Sequence, residues 1–408
     1  MKTNTGVLLA LMMFIEYFIW GSWYVTMGTY MTTYLSSTGV HIGAAYSALA
    51  IATMISPFFV GMIADRYFSA QKIMGVLHLV GAVLLYVATQ VDTNSHFYWV
   101  ILFYSLLYMP TIALSNSVAF HQMTDPGKQF PWIRVFGTVG WIVAGLLINI
   151  LAIEKTSSTF IMAAAASAVL GLLSFILPNT PPKGKSSTSA GKALGTEAFV
   201  LFYNRPYLIF FIAAILVCIP LSFYYGFANV FLNDLGLANA ASKMTLGQVS
   251  EALFILAIPF LFNRIGVKKM ILLGMTAWIL RYVCFAYGDT GANTWMLYAG
   301  IILHGICYDF FFVTGYMYTE KKAGEKIKNA AQGLFTFATY GVGMFIGTWF
   351  SGFITEHYTV NGQENWTKIW LVPAYIAVGV LIYFILLFKE KREIEPAGGK
   401  IISPSTVR

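Results

Sequence analysis

Residues 206–233 of the chain read PYLIFFIAAILVCIPLSFYYGFANVFLN, a run of 28 residues without a charged side chain. A helix rises 1.5 Å per residue and needs about 20 apolar residues to cross the roughly 30 Å hydrocarbon core of a bilayer. Strands of a membrane barrel would instead alternate in polarity over about ten residues, and this stretch does not alternate. The stretch therefore predicts a membrane-spanning helix.

The same criterion, applied to all 408 residues, predicts twelve membrane-spanning helices, which we call spans 1 to 12. Only 10% of the residues are charged and 58% are apolar, against roughly 25% charged residues in soluble domains. The sequence thus excludes a soluble globular protein, and the predicted fold class is an all-α membrane protein. The predicted spans cover residues 7–35, 42–64, 72–91, 97–120, 132–153, 159–178, 206–233, 244–263, 268–288, 294–318, 328–354 and 367–388.

The longest interruption without apolar character divides the chain into two groups of six spans. It contains Pro181, Pro182 and a stretch rich in Gly, Ser and Lys. Two six-helix halves with a binding site between them are typical of many secondary transporters. We predict an N-terminal half at 1–178, a cytoplasmic linker at 179–205, a C-terminal half at 206–390 and a cytoplasmic tail at 391–408.

The distribution of basic residues predicts the orientation of the chain. The chain has 25 Lys and Arg against 17 Asp and Glu, for a net charge of +8. If the N-terminus is cytoplasmic, 20 of the 25 basic residues fall in inner loops and tails. Because cytoplasmic loops of membrane proteins carry such an excess, we expect both termini to be cytoplasmic. The positive charge then needs no nucleic-acid partner.

Span 1 is longer than the apolar region of a signal peptide, so we expect it to be retained.

Several other kinds of site are not expected. Cys218, Cys284 and Cys307 lie in long apolar segments, where small buried thiols are common, so no disulfide is predicted. The six histidines have no metal-ligand spacing, and neither a metal site nor a cofactor is predicted. A phosphate-binding GxxxxGK[ST] loop and a HExxH motif are both absent from the sequence. An intramembrane enzyme would need a nucleophile with its base, or a metal cluster, and we therefore expect no enzyme.

Beyond the first two residues of each predicted span, five side chains that are charged at pH 7 fall within the spans, and each is a functional hypothesis because charge is costly at membrane depth. A carboxyl group in a low-dielectric cavity has a raised pKa, so it can load a proton on one side and release it on the other. Glu251 and Asp309 fit proton coupling, substrate binding or a structural pair between helices. Glu16 fits proton coupling or a neutral packing role. Arg134 fits substrate binding or snorkelling to lipid headgroups, and Arg281 is expected to be structural and within reach of water.

Aromatic residues are dense near these charges. An aromatic wall with a few amides and carboxyl groups suits a flat polar solute such as a nucleobase or a sugar. Any single aromatic residue is better explained by packing or lipid contact, so only the cluster is informative. It comprises Trp20, Trp23, Tyr224, Tyr225, Tyr308 and Phe310.

The chain contains five distinctive motifs: WGSW at 20–23, GMIADR at 61–66, FPWIRVFGT at 130–138, QVSEALF at 248–254 and YDFF at 308–311. They resemble motifs of the bacterial nucleoside:proton symporters of the major facilitator superfamily. The resemblance implies a major facilitator fold with spans 1, 4, 7 and 10 lining a central cavity. It also implies a multi-pass, monomeric protein of the bacterial inner membrane that takes up nucleosides with protons.

The resemblance also assigns site residues. The positions assigned to substrate binding are Arg134, Thr138, Trp141, Ser222, Tyr225, Gln248, Glu251, Tyr308 and Asp309. Trp141 and Tyr308 stand where the family has phenylalanines. Ser222 and Tyr225 stand where it has amides, which leaves a sugar or another polar metabolite open as an alternative cargo. Glu16 replaces a neutral glutamine, and the carboxyl groups assigned to proton coupling are Glu251, Asp309 and Glu16.

Overall fold

The structure is a computed structural model that describes residues 3–59, 67–182 and 196–389. Helices occupy each of the twelve predicted spans within these ranges. The motif at 61–66, the middle of the predicted linker and the predicted tail lie outside the described residues. Spans 1 to 6 comprise Thr3–Trp23 with Met27–Tyr34, Gly39–Phe59, Ala70–Ala88, Asn94–His121, Pro126–Ile150 and Ser158–Ser174.

The C-terminal half contains the remaining six spans. Span 7 is Arg205–Asp234, spans 8 and 9 form the interrupted helix Ala240–Tyr287, and span 12 is Trp366–Leu387. Spans 10 and 11 each contain a π-helical segment, which is a common feature of functional sites in helices. In chain order these two spans comprise Thr294–Tyr308, Asp309–Val313, Thr314–Thr336, Phe337–Gly343 and Met344–His357. A short hairpin, Thr359–Val360 with Gln363–Glu364, precedes span 12.

Span 1 was predicted as one helix, but it is interrupted at residues 24–26. The Tyr46 hydroxyl of span 2 donates to the Tyr24 carbonyl at 2.6 Å and accepts from the Gly28 amide at 3.4 Å. A side chain inserted into the backbone hydrogen-bond ladder is a known cause of such breaks. The break therefore depends on a residue of another span.

Glycines with positive φ make the turns within spans 8–9 and 10–11. Gly266 has φ 78° and ψ 165°, and Gly324 has φ 64° and ψ −179°. This backbone region is open almost only to glycine. The chain can therefore reverse direction there with very few connecting residues.

Part of the predicted linker is folded. Thr196–Tyr203 forms a 3-10 helix that buries Ala198 and Leu201. At the start of the linker, the Thr180 amide donates to Gln71 Oε1 at 2.9 Å, and Gln71 Nε2 donates to Asn179 Oδ1 at 2.9 Å. Both ends of the linker are thus attached to helical spans.

The two halves pack closely at one end of the bundle. We call the end at which span 1 begins the inner end, and the opposite end the outer end. Near the outer end a Cβ atom added to Gly43 of span 2 would lie 2.3 Å from the Thr348 carbonyl oxygen of span 11. One added to Gly28 of span 1 would lie 2.7 Å from the Gly226 carbonyl oxygen of span 7. Small residues at these crossings let the backbones touch and close the outer end.

Two carboxylates also connect the halves at the outer end. Glu154 Oε1, after span 5, accepts from Asn229 Nδ2 at 2.8 Å, Asn233 Nδ2 at 2.9 Å and the Ala241 amide at 2.8 Å. Glu356 Oε2 lies in the last turn of span 11. It accepts from Thr38 Oγ1 at 2.6 Å and from the Val40 amide at 3.0 Å. Each carboxylate therefore lies at the N-terminus of a helix of the opposite half, where the helix dipole favours negative charge.

Candidate functional site

A cavity of about 580 Å³ lies between the two halves. It is lined by spans 1, 2, 4 and 5 of the N-terminal half and by spans 7, 8, 10 and 11 of the C-terminal half. The lining residues of spans 2, 4, 10 and 11 lie at the middle and inner parts of these helices. Because the outer end is packed, the cavity faces the inner end.

One wall of the cavity belongs to span 5. Arg134, Thr138 and Trp141 line it together, as their spacing of four and three residues places them on one helix face. The Arg134 guanidinium lies over the Tyr17 ring, 4.0 Å from its centroid. The Trp141 ring packs edge-on against Trp20, with centroids 5.5 Å apart. This wall thus combines one cation with an aromatic surface.

The facing wall is formed by spans 8 and 10. Gln248 and Glu251 are one turn apart on span 8, and His304 and Tyr308 are one turn apart on span 10. Glu251 Oε2 lies 3.9 Å from His304 Nε2, and the Glu251 side chain is 30% exposed. A Cβ atom on Gly305 would lie 2.5 Å from the Glu251 amide nitrogen, so this glycine permits the close approach of the two helices.

Tyrosines close the cavity between these walls. The Tyr225 and Tyr24 rings meet across the two halves with centroids 5.5 Å apart. The hydroxyl groups of Tyr308 and Tyr340 are hydrogen-bonded to each other. Tyr46, Tyr340 and His304 were not predicted as site residues, because nothing local in the sequence marks them as facing the cavity.

Three residues assigned to the site are not among those that line the cavity. Ser222 is buried and donates to the Ile219 carbonyl at 2.7 Å, and its hydroxyl packs against Gly347 of span 11. Asp309 is fully buried at the start of the π-helical segment of span 10. Neither of its carboxyl oxygens has a hydrogen-bond partner among the described residues.

Glu16 is the third. It is fully buried within the N-terminal half. Its carboxyl group contacts His78 Nε2 at 2.9 Å and accepts from Thr111 Oγ1 at 2.7 Å. Glu16 therefore belongs to a compact polar cluster of spans 1, 3 and 4.

Arg281 differs from the expectation of a group within reach of water. Its side chain is fully buried, with the guanidinium carbon 3.5 Å from the Tyr224 ring centroid. Its Nη1 donates to His304 Nδ1 at 2.8 Å. Counting residues along span 9 placed Arg281 near the outer end but could not show that spans 7 and 10 cover it.

The described part of the chain contains no group of three His, Cys, Asp or Glu side chains that is arranged to hold a metal ion. The three cysteines are free there. The polar side chains that line the cavity therefore comprise one guanidinium, one carboxyl group, one imidazole, two amides, several phenols and a few Ser and Thr hydroxyl groups.

Comparison with known proteins gives the family. The family model described as "Nucleoside H+ symporter" matches residues 1–393. The chain belongs to the nucleoside H+ symporter family. This symporter is 42% identical to the putative nucleoside transporter YegT of Escherichia coli K12, over 96% of the chain and 95% of the relative. It is 36% identical to the nucleoside permease NupG of the same strain, over 98% of the chain and 100% of the relative.

The fold is shared as well. A crystal structure of the nucleoside transporter NupG matches the symporter with a TM-score of 0.88 and 35% identity, covering 95% of this chain and 100% of that one. The expected major facilitator fold is thereby confirmed. The resemblance predicted that spans 1, 4, 7 and 10 line the cavity, and the structure adds spans 2, 5, 8 and 11 to them.

Proposed function

We propose that this symporter imports nucleosides, driven by an inward proton gradient, by alternating access of one central site to the two sides of the membrane. The observation that carries the proposal is a single cavity in which Arg134 of one half faces Glu251 of the other. The family match and the nucleoside-related names of its relatives support the cargo. They do not favour the alternative, a sugar or another polar metabolite.

The lining side chains suggest how a nucleoside is held. Arg134, Thr138 and Gln248 supply hydrogen bonds to the base edge or the ribose hydroxyls. Trp141, Tyr225 and Tyr308 supply flat surfaces for stacking on the base. The cavity volume lies within the roughly 300–1,000 Å³ typical of small-molecule sites. Ser222 and Asp309 would act behind this lining, by supporting spans 7 and 10.

Glu251 is our candidate for the group that carries the proton. It is a carboxyl group of the cavity lining, and its partial exposure gives a proton access to it. Asp309, whose carboxyl oxygens have no hydrogen-bond partner within residues 3–59, 67–182 and 196–389, is a second candidate, because a buried carboxylate is stable only when it is neutralised or paired. Glu16 is a third candidate for the proton carrier, and His78 is its neighbour.

The inner end of the bundle is proposed to face the cytoplasm of a bacterium, with the protein in the inner membrane and both termini cytoplasmic. The excess of Lys and Arg at that end supports this orientation. The conformation described above is then open to the cytoplasm and closed to the outside. We propose that one chain in the lipid bilayer is the functional unit, because the cavity is complete within it.

Radiolabelled uridine or adenosine should enter membrane vesicles or proteoliposomes faster when the outside is more acidic than the inside. A protonophore should abolish this stimulation. Uptake that ignores the proton gradient would contradict symport, and the absence of uptake of any nucleoside would contradict the cargo. Free maltose and free ribose serve as competitors that should not reduce uridine uptake.

The carboxylates of Glu154 and Glu356 lead to a second prediction, because the hydrogen bonds that they accept from the opposite half must break in the outward-open state. Hydrogen bonds to a charged group contribute about 1.5–3 kcal/mol each. Glu154→Ala combined with Glu356→Ala should therefore favour the outward-open state. A cysteine introduced by Val25→Cys, beneath the packed outer end, should react about tenfold faster with an external, membrane-impermeant maleimide.

Asp289→Ala provides the matched control. Asp289 also lies at the outer end, but in the part of the chain that the structure describes it accepts only from Gly291 and Asn293 of its own loop. Its replacement should leave the labelling of the Val25→Cys variant unchanged. Equal labelling of the double variant and the control would contradict the role of the two carboxylates.

A further inference from the structure

Arg281, His304 and Glu251 form a chain of side chains from the buried core of the C-terminal half to the cavity. Arg281 Nη1 lies 2.8 Å from His304 Nδ1, and His304 Nε2 lies 3.9 Å from Glu251 Oε2. His304 and Glu251 line the cavity, whereas Arg281 does not. An effect of Arg281 on the cavity would therefore be transmitted through His304, the cavity residue to which it donates a hydrogen bond.

The chemistry of the guanidinium determines where the proton of His304 lies. A guanidinium has five N–H donors, no acceptor, and keeps its charge in proteins. Nδ1 of His304 must accept the hydrogen bond from Arg281, and so it carries no proton. The single proton of the imidazole then lies on Nε2, on the side of Glu251. A second proton on the ring would point an N–H group at the guanidinium.

The surroundings reinforce this arrangement. The Arg281 guanidinium stacks on the Tyr224 ring, and the His304 ring also stacks on Tyr224, with centroids 5.1 Å apart and the ring planes inclined by 26°. Tyr224 therefore holds both members of the pair. The titratable and charged groups that face His304 from all packed spans are Tyr224, Tyr225, Glu251, Arg281, Cys307 and Tyr308. Among these groups Arg281 is the cation and Glu251 is the carboxyl group.

We propose that Arg281 is a positioning residue for proton coupling: it holds His304 as a neutral donor toward Glu251 and prevents the imidazole from taking up the transported proton. The proposal rests on the proposed function, since it presumes that Glu251 is loaded with a proton during import. It gives His304 a fixed N–H group that faces the carboxylate of Glu251. The proton then has one acceptor among these three residues.

Removing the cation should reveal the titration of His304. In Arg281→Met, a side chain of similar length without charge or donors, Nδ1 becomes free to bind a proton. Because the neighbouring cation is gone and Glu251 remains, His304 would bind a proton in acid more readily than in the unmodified protein, and the imidazolium would hold Glu251 as an unprotonated carboxylate. The ratio of uptake by the variant to uptake by the unmodified protein should be about fivefold lower at pH 5.5 than at pH 7.5.

Arg281→Met combined with His304→Gln is the decisive comparison. Glutamine retains an N–H donor and does not titrate, so the added loss at acid pH should disappear in the double variant. A loss in Arg281→Met that is equal at every pH, or one that persists in the double variant, would show that Arg281 only supports packing and would overturn the proposal. Gradient-independent uptake by the unmodified protein would instead contradict the proposed function.

A third variant keeps the proposal testable if Arg281→Met does not fold. His304→Gln alone, with Arg281 in place, should lower uptake through its cavity contact but keep the pH profile of the unmodified protein. Loss of all gradient-driven uptake in this variant, with nucleoside exchange retained, would identify His304 as a proton carrier. That result would overturn the role proposed for Arg281.

Discussion

Replacement of Glu251 by glutamine should abolish the accumulation of nucleoside against its gradient and preserve the exchange of nucleoside across the membrane. Glutamine keeps the size of the side chain and its capacity for hydrogen bonds, but it binds no proton. For one proton per nucleoside, each pH unit of gradient supports about tenfold accumulation, since one unit corresponds to about 1.4 kcal/mol. In Glu251→Gln the accumulation ratio should fall to about one at every imposed gradient.

Two measurements on the same proteoliposomes separate coupling from binding. Accumulation of radiolabelled uridine under a proton gradient reports coupling. Counterflow, in which unlabelled uridine inside exchanges for labelled uridine outside, requires the site but no net proton movement. The expected pattern is loss of accumulation with counterflow retained within about threefold, because the hydrogen bonds to substrate remain.

Asp309→Asn and Glu16→Gln serve as matched variants, because each also converts a buried carboxyl group into an amide. Neither side chain lines the cavity in this conformation. If Glu251 carries the proton, both variants should retain gradient-dependent accumulation. Accumulation by Glu251→Gln, together with its loss in one of the other two, would transfer the role to that carboxyl group.

The sequence was sufficient to predict the helices that form the fold. The apolar runs are long, and burial in lipid leaves helices as the structure that satisfies their backbone. The interruption of span 1 could not be predicted, because the Tyr46 hydroxyl that causes it comes from another span. The chain reversals at Gly266 and Gly324 were expected as loops, whereas glycine conformation makes them sharp turns.

The candidate site was only partly predictable, because spacing within one span is visible in the sequence whereas contacts between spans are not. Arg134, Thr138 and Trp141 share one helix face, so their spacing alone indicates a common wall. Asp309 directly follows Tyr308, which lines the cavity. Because successive residues of a helix point in different directions, the Asp309 side chain points away from the cavity. The contact between Arg281 and His304 joins residues 23 positions apart in two spans, and no periodic pattern within either span indicates it.

Closure of the outer end should be blocked by a side chain at Gly43. An added Cβ atom would lie 2.3 Å from the Thr348 carbonyl oxygen and 3.0 Å from the Gly352 Cα atom. Both neighbours are backbone atoms, so no change of rotamer relieves the overlap. Overpacking typically costs about 1–3 kcal/mol, which would shift the equilibrium away from the outward-closed state by about 5- to 150-fold.

Gly43→Leu should therefore lower nucleoside uptake at least about tenfold, and Gly43→Ala should lower it less. The protein should still bind nucleoside, because Gly43 lies outside the cavity lining. Stabilisation of the purified variant by uridine in a thermal-shift assay measures that binding. Gly379→Leu is the control, since Gly379 of span 12 has no neighbour within 4 Å of an added Cβ atom. Because alternating access requires spans 2 and 11 to separate and close again in every cycle, unchanged uptake in Gly43→Leu would mean that this contact is not the outer gate.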